Sequence, residues 1–190
     1  MHPALNAFCQ AAREALRGWP LDTALDTELD TTFDTALDTI AAQLALLLAD
    51  AGFVAATFDD ATPPGKRQLW YDADTGFLVL AHVQKAGKSG SPHSHGASWA
   101  VYGNARGCTA MTEYRRLSAE DDPATVLQPL PVYRLDAGQT RAYGPGTIHS
   151  TAHPEKAWVL RITGTDLDAI PRYRFHKSTD RVLPAAETPA

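Results

Sequence analysis

The sequence predicts a mainly β protein in which a small barrel, or a jelly roll of two sheets, carries helices packed outside it. Three observations predict this fold class. The first third of the chain has apolar residues at helical spacing, and the rest is a series of short strand-like segments separated by Gly, Pro or Asp. The chain has 190 residues, 44% of them hydrophobic, which is enough for one buried core. We therefore expect a single globular domain.

The helical region is expected to cover residues 1–62. Residues 3–16 and 40–48 read as helices that end before Gly18 and Gly52. Between them, over residues 21–39, the motif Leu-Asp-Thr repeats every four residues, once as Phe-Asp-Thr. On a helix this repeat drifts by about 40° each time, so its apolar stripe winds around the rod. We interpret the repeat as a surface helix that has no catalytic or binding role. The alternative is a helix that binds a partner.

A β-barrel is expected over residues 63–183. Segments 67–71 and 77–83 flank a turn-like segment at 72–76 and predict a hairpin. Further strands are predicted at 99–102, 108–114, 132–135, 141–143 and 158–162. So many short strands favour a closed barrel or a double-sheet jelly roll, because both protect sheet edges. Residues 184–190 are expected to form a disordered tail.

Charge and cysteine content restrict the partners. A net charge of −5 and a pI near 5.7 give no reason to expect a nucleic acid or an anionic membrane as partner. Cys9 and Cys108 are too few for a disulfide scaffold, and no leader or long apolar run is recognisable. We expect a cytoplasmic, reduced protein; its oligomeric state is left open.

Three histidines predict a metal site. His93 and His95 are one residue apart, and His149 follows a Gly-Pro-Gly turn. Alternate residues of a strand share a face, so an H-x-H pair directs both imidazoles to one point, and a third histidine from another strand completes one face of a site. Three neutral ligands with open positions describe a catalytic metal better than a structural one.

The segment around these histidines resembles the two cupin motifs, most closely those of the thiol dioxygenases such as cysteine dioxygenase. The first motif, a glycine followed after five residues by H-x-H and a later glycine, is matched by Gly87, His93, His95 and Gly103. The second is matched from Gly138 to His149, with Gly144 in the place of the usual proline. The resemblance covers residues 67–182. It implies a cupin double-stranded β-helix, Fe(II) held by the three histidines, and oxidation of a thiol to a sulfinate by O2.

The chain departs from that family at specific positions. Trp99 stands where many cupins have a glutamate ligand, which leaves the metal with three neutral imidazoles and favours an anionic substrate. Ala100 replaces the cysteine that some cysteine dioxygenases link to a tyrosine. The family's Ser-His-Tyr relay falls on Val159, Arg161 and Thr163, so a cation replaces a neutral histidine and the phenol is missing.

Two arginines are candidates for binding the substrate. The resemblance implies an arginine on the strands before the H-x-H pair, and Arg67 occupies such a strand; a guanidinium grips a carboxylate through two parallel hydrogen bonds. Arg161 is a second charge partner if it faces the pocket. His82 and Tyr102 are interpreted as barrel and core residues, and His153, which precedes Pro154, as part of a surface turn.

The leading functional hypothesis is a mononuclear non-haem iron dioxygenase that acts on a small anionic substrate. The same ligands would also serve a cupin dioxygenase that cleaves a carbon–carbon bond of a small aromatic or dicarbonyl compound. With zinc, nickel or manganese they would serve a non-oxidative hydrolase, lyase or isomerase. A binding module with a vestigial metal site is the remaining alternative.

Overall fold

The computed structural model describes residues 1–17, 31–119, 124–176 and 181–182. Its helices are α1 (Pro3–Ala15), α2 (Thr31–Ala49) and α3 (Ala51–Thr57). The strands are β1 (Gly65–Tyr71), β2 (Leu78–Gln84), β3 (Lys88–Ser89), β4 (Ala100–Arg106), β5 (Thr109–Arg116), β6 (Val126–Pro129), β7 (Tyr133–Leu135), β8 (Thr140–Tyr143), β9 (Ile148–His153), β10 (Ala157–Thr163) and β11 (Arg181–Val182).

The strands form two sheets whose connections cross from one sheet to the other. One sheet has the order β1-β2-β10-β4-β8; the other has the order β11-β6-β5-β9-β3, with β7 also paired to β5. The chain stays in one sheet from β1 to β2 and from β5 to β7, and it changes sheet at every other connection between consecutive strands. This is the strand pairing of a jelly roll with two Greek keys. The fold is mainly β, a jelly roll or double-stranded β-helix with N-terminal helices packed outside it, and the predicted fold class is confirmed at this level.

Alternating side chains on β10 face two different cores. Leu160 lies opposite Ala81 on β2 and Gly103 on β4, whereas Arg161 lies opposite Leu80 and Tyr102. Residues directly opposite each other project from the same face, so Leu160 and Arg161 point to opposite sides of this sheet. The side with Leu160 carries the helices, and the side with Arg161 faces the interior between the two sheets.

The helices cover the outer face of the first sheet. Phe8 of α1 and Ile40 and Leu44 of α2 pack in one cluster with Leu160 and other outward residues of the sheet. At Gly103 a Cβ would lie 2.6 Å from Leu48 Cδ1 and 3.0 Å from Leu44 Cδ2. Glycine at this position therefore lets α2 lie directly on the sheet.

The Leu-Asp-Thr repeat is described only in its second half, because residues 18–30 lie outside the described part of the chain. From Thr31 onward the repeat is helical. Phe33 and Leu37 are buried in the core between helices and sheet, while Asp34 and Asp38 are exposed. The predicted tail at 184–190 likewise lies outside the described residues.

Among the described residues, no single helix is long and apolar enough to cross a membrane. The segments Phe33–Ala49 and Ala51–Thr57, which are bent by 82°, satisfy that criterion only when they are counted together.

Asp72 joins α1 to the hairpin of β1 and β2. Its side chain is fully buried and accepts hydrogen bonds from Arg13 Nη2 at 2.6 Å, Thr75 Oγ1 at 2.9 Å and the Thr75 backbone N–H at 3.0 Å. Burial raises the pKa of this carboxyl, but the hydrogen bonds from Arg13 and Thr75 outweigh burial and hold the pKa below its usual 3.8. The predicted turn at 72–76 is therefore also an anchor for the first helix.

We expect Asp72→Asn to lower the free energy of unfolding at pH 7 by about 2–4 kcal/mol, because it removes a buried charge from several charge-assisted hydrogen bonds. A carboxyl whose pKa is lowered by folding stabilises the protein above the pKa of the unfolded state, and this contribution is lost as the pH falls through the folded pKa. The difference in the free energy of unfolding between the variant and the parent should therefore shrink below about pH 4. Urea denaturation at pH 7 and pH 3 measures both effects.

The matched control is Asp74→Asn. Asp74 is 73% exposed, and its carboxylate lies 3.4 Å from Nε of the same Arg13. Removal of this exposed charge should lower the free energy of unfolding far less. Equal destabilisation by the two substitutions would contradict the role given to Asp72.

Candidate metal centre

Backbone hydrogen bonds hold His93 against His149. The His93 N–H donates to the His149 carbonyl at 2.9 Å, and the His149 N–H donates to the His93 carbonyl at 2.9 Å. The two residues thus form an isolated antiparallel bridge between the loop before β4 and strand β9. Opposed residues of such a bridge project to one side, which brings both rings to the barrel interior.

A segment from late in the chain completes the loop that carries the histidine pair. The Ser94 N–H donates to the Tyr173 carbonyl, and the Phe175 N–H donates to the Pro92 carbonyl, both at 3.0 Å. Gly96, two residues after Ser94, has φ +61°, and a Cβ at this position would overlap the Pro171 carbonyl oxygen. Glycine is required at position 96 by this close approach and by the left-handed backbone.

The three predicted histidines come together in the structure. One nitrogen from each of His93, His95 and His149 lies within 4.8 Å of the others. The ring centroid of His149 is 4.7 Å from that of His93 and 4.8 Å from that of His95. Donor atoms this close on three side chains could hold one metal ion.

The hydrogen bonds of the rings leave nitrogens available for a cation. His93 Nδ1 lies 3.1 Å from the Ser91 carbonyl, which can only accept, so Nδ1 carries the hydrogen and Nε2 keeps its lone pair. His149 is fully buried, and neither of its ring nitrogens has a hydrogen-bond partner among the described residues. A buried polar atom without a partner is costly, and a metal ion would supply the missing partner.

The three imidazoles are neutral at physiological pH. Burial is the largest cause and lowers the pKa of all three, and the charge of Arg161 also lowers it in each case. For His95 and His149, neighbouring histidines of the cluster lower the pKa as well. The pKa of His95 falls to about 2 and that of His149 to about 3. A metal ion would therefore not have to compete with protons for these nitrogens near pH 7.

No carboxylate belongs to the cluster in the described part of the chain. Trp99, in the position of the usual glutamate, packs on the helix side of the sheet and not at the cluster. Glu113 lies opposite His149 in the pairing of β5 with β9, but its carboxylate accepts from Tyr133 Oη at 2.8 Å and from Arg141 Nη2 at 3.3 Å. The donor set fits a divalent metal that keeps its full charge.

Two tyrosines pack on the histidines, and the sequence did not single them out as functional. The Tyr102 hydroxyl lies 3.2 Å from His95 Nε2, and the two rings are stacked with centroids 5.9 Å apart. Tyr143 lies at 4.7 Å from the His149 ring and forms a hydrogen bond of 2.6 Å to the hydroxyl of Tyr133. A phenol is thus present at the site, although the family position for it holds Thr163. The sequence does contain a signal for the inward position of Tyr102: on a strand it alternates with Val101 and Gly103, which face the helices.

A cavity of about 110 Å³ adjoins the histidines inside the barrel. Its lining residues are His82, Gln84, His93, Tyr102, Thr109, Thr151, His153, Val159 and Arg161. The prediction of a surface turn at His153 is wrong: the residue is buried, and its Nδ1 lies 3.2 Å from Thr109 Oγ1. His153 lies four positions after His149 on β9, and an even offset along a strand puts both side chains on the inner face.

The structure brings Arg161 to this cavity and does not bring Arg67 there. Arg161 lines the cavity, and its Nε is shielded from solvent and has no hydrogen-bond partner among the described residues. Arg67 pairs with Ala81, whose other neighbour is the outward residue Leu160, so Arg67 projects to the helix side. Its guanidinium is exposed and donates to the Thr57 carbonyl at 2.7 Å. The binding of substrate by Arg67 thus finds no support in the geometry.

Comparison with known proteins gives similarity at the level of structure only. No protein-family model matches the chain. No curated protein matches it in sequence either.

Solved structures similar to the chain include a cupin superfamily protein from Desulfitobacterium hafniense DCB-2, with 15% identity over 60% of this chain and 87% of that one and a TM-score of 0.43. A double-stranded β-helix protein from Klebsiella pneumoniae has 12% identity over 64% and 87% of the two chains and a TM-score of 0.43. Oxalate oxidase in complex with the substrate analogue glycolate has 14% identity over 62% and 59%, with a TM-score of 0.42. Because these TM-scores are low, the fold is defined by the strand pairing and not by these similarities. The chain is a β-barrel protein with a three-histidine cluster that could hold a metal.

Proposed function

We propose that this protein is a mononuclear non-haem Fe(II) dioxygenase that oxidises a small anionic substrate with O2. The observation that carries the proposal is the buried cluster of three neutral histidines, in which His149 has no partner for either ring nitrogen among the described residues. A three-ligand set leaves coordination positions open, as a catalytic metal requires. The resemblance of the two motifs to the thiol dioxygenases favours iron over zinc and a thiol that takes up one O2 to become a sulfinic acid.

Bound Fe(II) would supply a site where substrate and dioxygen are activated together. The protein contributes a water-poor interior of fixed geometry. The hydrogen bond from His93 Nδ1 to Ser91 fixes the tautomer and ring orientation of one ligand. Tyr102 packs against the His95 ring and Tyr143 against the His149 ring, and these contacts restrict the rotation of both imidazoles.

Tyr102 would donate a proton beside the reacting groups. Its hydroxyl lies next to His95 Nε2, and no other hydrogen bond of this hydroxyl is seen in the described residues. A metal ion bound to that nitrogen would use its lone pair and leave the phenol hydrogen free to be donated to an anionic atom nearby. Tyr102 thereby replaces the phenol that is absent at Thr163.

A reducing cytoplasm would suit such a centre, because it keeps iron ferrous. Cys9 and Cys108 are both free and buried, and burial raises the pKa of the Cys9 thiol to about 12.

We expect one Fe(II) per chain in the parent protein, and a loss of affinity of more than about 100-fold in His93→Gln, His95→Gln and His149→Gln, because each removes one of three ligands. Elemental analysis by mass spectrometry and calorimetric titration measure this. The matched control is His153→Gln, which alters a buried cavity histidine outside the cluster and should keep the metal. Full metal content in the His149 variant would exclude the centre.

We expect the iron-loaded protein to consume one O2 per molecule of a small thiol such as 3-mercaptopropionate, with both atoms of labelled O2 recovered in the sulfinate. An oxygen electrode and mass spectrometry measure the two quantities, and zinc-loaded protein serves as the inactive control. Turnover under strict anaerobiosis would rule out an oxygenase and point to hydrolytic or lyase chemistry.

We expect Tyr102→Phe to lower kcat by roughly 10- to 100-fold, because a proton donor is lost from the site, while the iron content stays unchanged. Tyr71→Phe is the control, since Tyr71 is 53% exposed on β1. Equal kcat values for the parent and the Tyr102 variant would show that this phenol only packs.

A further inference from the structure

Two edge strands of the barrel each carry a lysine that faces the interior. β1 is the last strand of the first sheet, and β3 is the last strand of the second. Lys66 on β1 lies opposite His82, and Lys88 on β3 lies opposite His153. Both histidines line the inner cavity, and residues directly opposite each other project from the same face. Lys66 and Lys88 therefore project inward from the edges of two different sheets.

A surface recess of about 450 Å³ lies where these two edges meet. Its wall includes Lys66, Lys85 and Lys88, and it shares His82 and Gln84 with the inner cavity of about 110 Å³. Lys88 Nζ donates a hydrogen bond to Gln84 Oε1 at 2.9 Å, so one of the shared side chains contacts a lysine of the recess. Because two inward residues belong to both spaces, the recess is the outer part of an opening whose inner part is the cavity.

The recess is positively charged, although the chain as a whole has a formal net charge of −5. Lys85 and Lys88 form no ion pair among the described residues, and no residue that lines the recess or the cavity is acidic. Lys66 contacts Asp168 at 3.0 Å, but Asp168 also contacts Arg172 at 2.8 Å, so two cations share one carboxylate. The recess thus keeps a local excess of positive charge.

The charges of the recess act on the interior as well. Burial is the main cause that lowers the pKa of His82, to about 3, and the charges of Arg161, Lys66 and Lys88 lower it further. A recess lined by charges of one sign attracts ions of the opposite sign and raises their rate of association. The same charges repel a cation that approaches along this route.

We propose that the gap between β1 and β3 is the entrance to the barrel interior and that Lys66, Lys85 and Lys88 make this entrance selective for anions. An anion is attracted first to the ammonium groups of the recess and then passes His82 and Gln84 into the cavity. The selectivity concerns the rate of entry and needs no metal. The inference rests on the proposed function only where it names the substrate class, small anions that reach the three histidines fastest.

The test places a thiol on the cavity wall of the full chain. Thr151 on β9 lines the cavity, and Thr151→Cys puts a side chain of similar size there. The native cysteines are buried, and the parent protein gives their background rate. Iodoacetate and iodoacetamide alkylate a thiol by the same reaction, in which a carbon–sulfur bond forms and iodide leaves, but only iodoacetate is an anion. The ratio of their rate constants, measured by mass spectrometry, reports the effect of charge on entry, because any change in the reactivity of the thiol cancels.

In the Thr151→Cys protein, we expect Lys85→Glu and Lys88→Glu each to lower the iodoacetate-to-iodoacetamide ratio by about 3-fold, and the double substitution by about 10-fold, at an ionic strength of about 20 mM. In about 0.5 M NaCl the difference should fall below about twofold, because the Debye length is then about 4 Å. An unchanged rate constant for iodoacetamide shows that each variant keeps its fold and its opening.

The matched control is Arg17→Glu, which makes the same change in net charge. Arg17 follows α1 and is 77% exposed. It lies one helical turn after Arg13, which contacts Asp72 at the other end of β1 and β2 from the recess. This substitution should change the ratio by less than about 1.5-fold at about 20 mM ionic strength.

A change in the ratio for the Lys85 and Lys88 variants no larger than that for Arg17→Glu would overturn the inference. Equal alkylation rates for Thr151→Cys and the parent would also overturn it, because the opening would then not reach the cavity. The two proposals fail separately. Anion-selective alkylation in a protein whose iron-loaded form consumes no O2 would exclude the dioxygenase and keep the entrance. O2 consumption together with alkylation that ignores the lysines would exclude the entrance and keep the dioxygenase.

Discussion

The alternation of side chains along β10 is the constraint on which the rest of the molecule depends. One set of residues, represented by Leu160 and Ile162, holds the helices against the outer face of the sheet. The other set, represented by Val159 and Arg161, builds the interior next to the histidines. A shift of this strand by one residue would exchange the two sets, place Arg161 among leucines and open the cavity wall. The apolar core on one side thus fixes the polar cavity on the other.

The charge distribution around the cluster follows from the same arrangement. The three imidazoles are neutral, and the nearest carboxylate on β5, that of Glu113, is engaged by Tyr133 and Arg141. Positive charge from a metal and from Arg161 would therefore accumulate in a low-dielectric interior. With a metal bound as proposed, such a site would attract an anionic ligand. Selection by size is added by the small cavity.

The fold and the histidine cluster could be predicted from the sequence, because both depend on local spacing. The H-x-H pair and the turn before His149 are short motifs, and short strands with turn residues between them indicate a barrel. By contrast, the sequence could not predict which of the two candidate arginines faces the barrel interior. The faces of Arg67 and Arg161 depend on the register of three strands, and the pairing of β1 with β2 shifts between Gln68 and Trp70. His153 was misplaced for a related reason, since Pro154 suggested a surface turn while strand alternation keeps His153 inside.

The pairing of the segment Tyr173–Phe175 with the loop that carries His93 and His95 has a consequence for folding. Its two backbone hydrogen bonds link residues that are far apart in the chain, and the His93–His149 bridge is also non-local. Contacts of this kind form late, because the intervening chain must first be ordered. A ribosome that has released residues up to His149 has delivered every histidine of the cluster but not the segment that closes their loop. A metal centre of the proposed kind would therefore be completed only after that segment has left the ribosome.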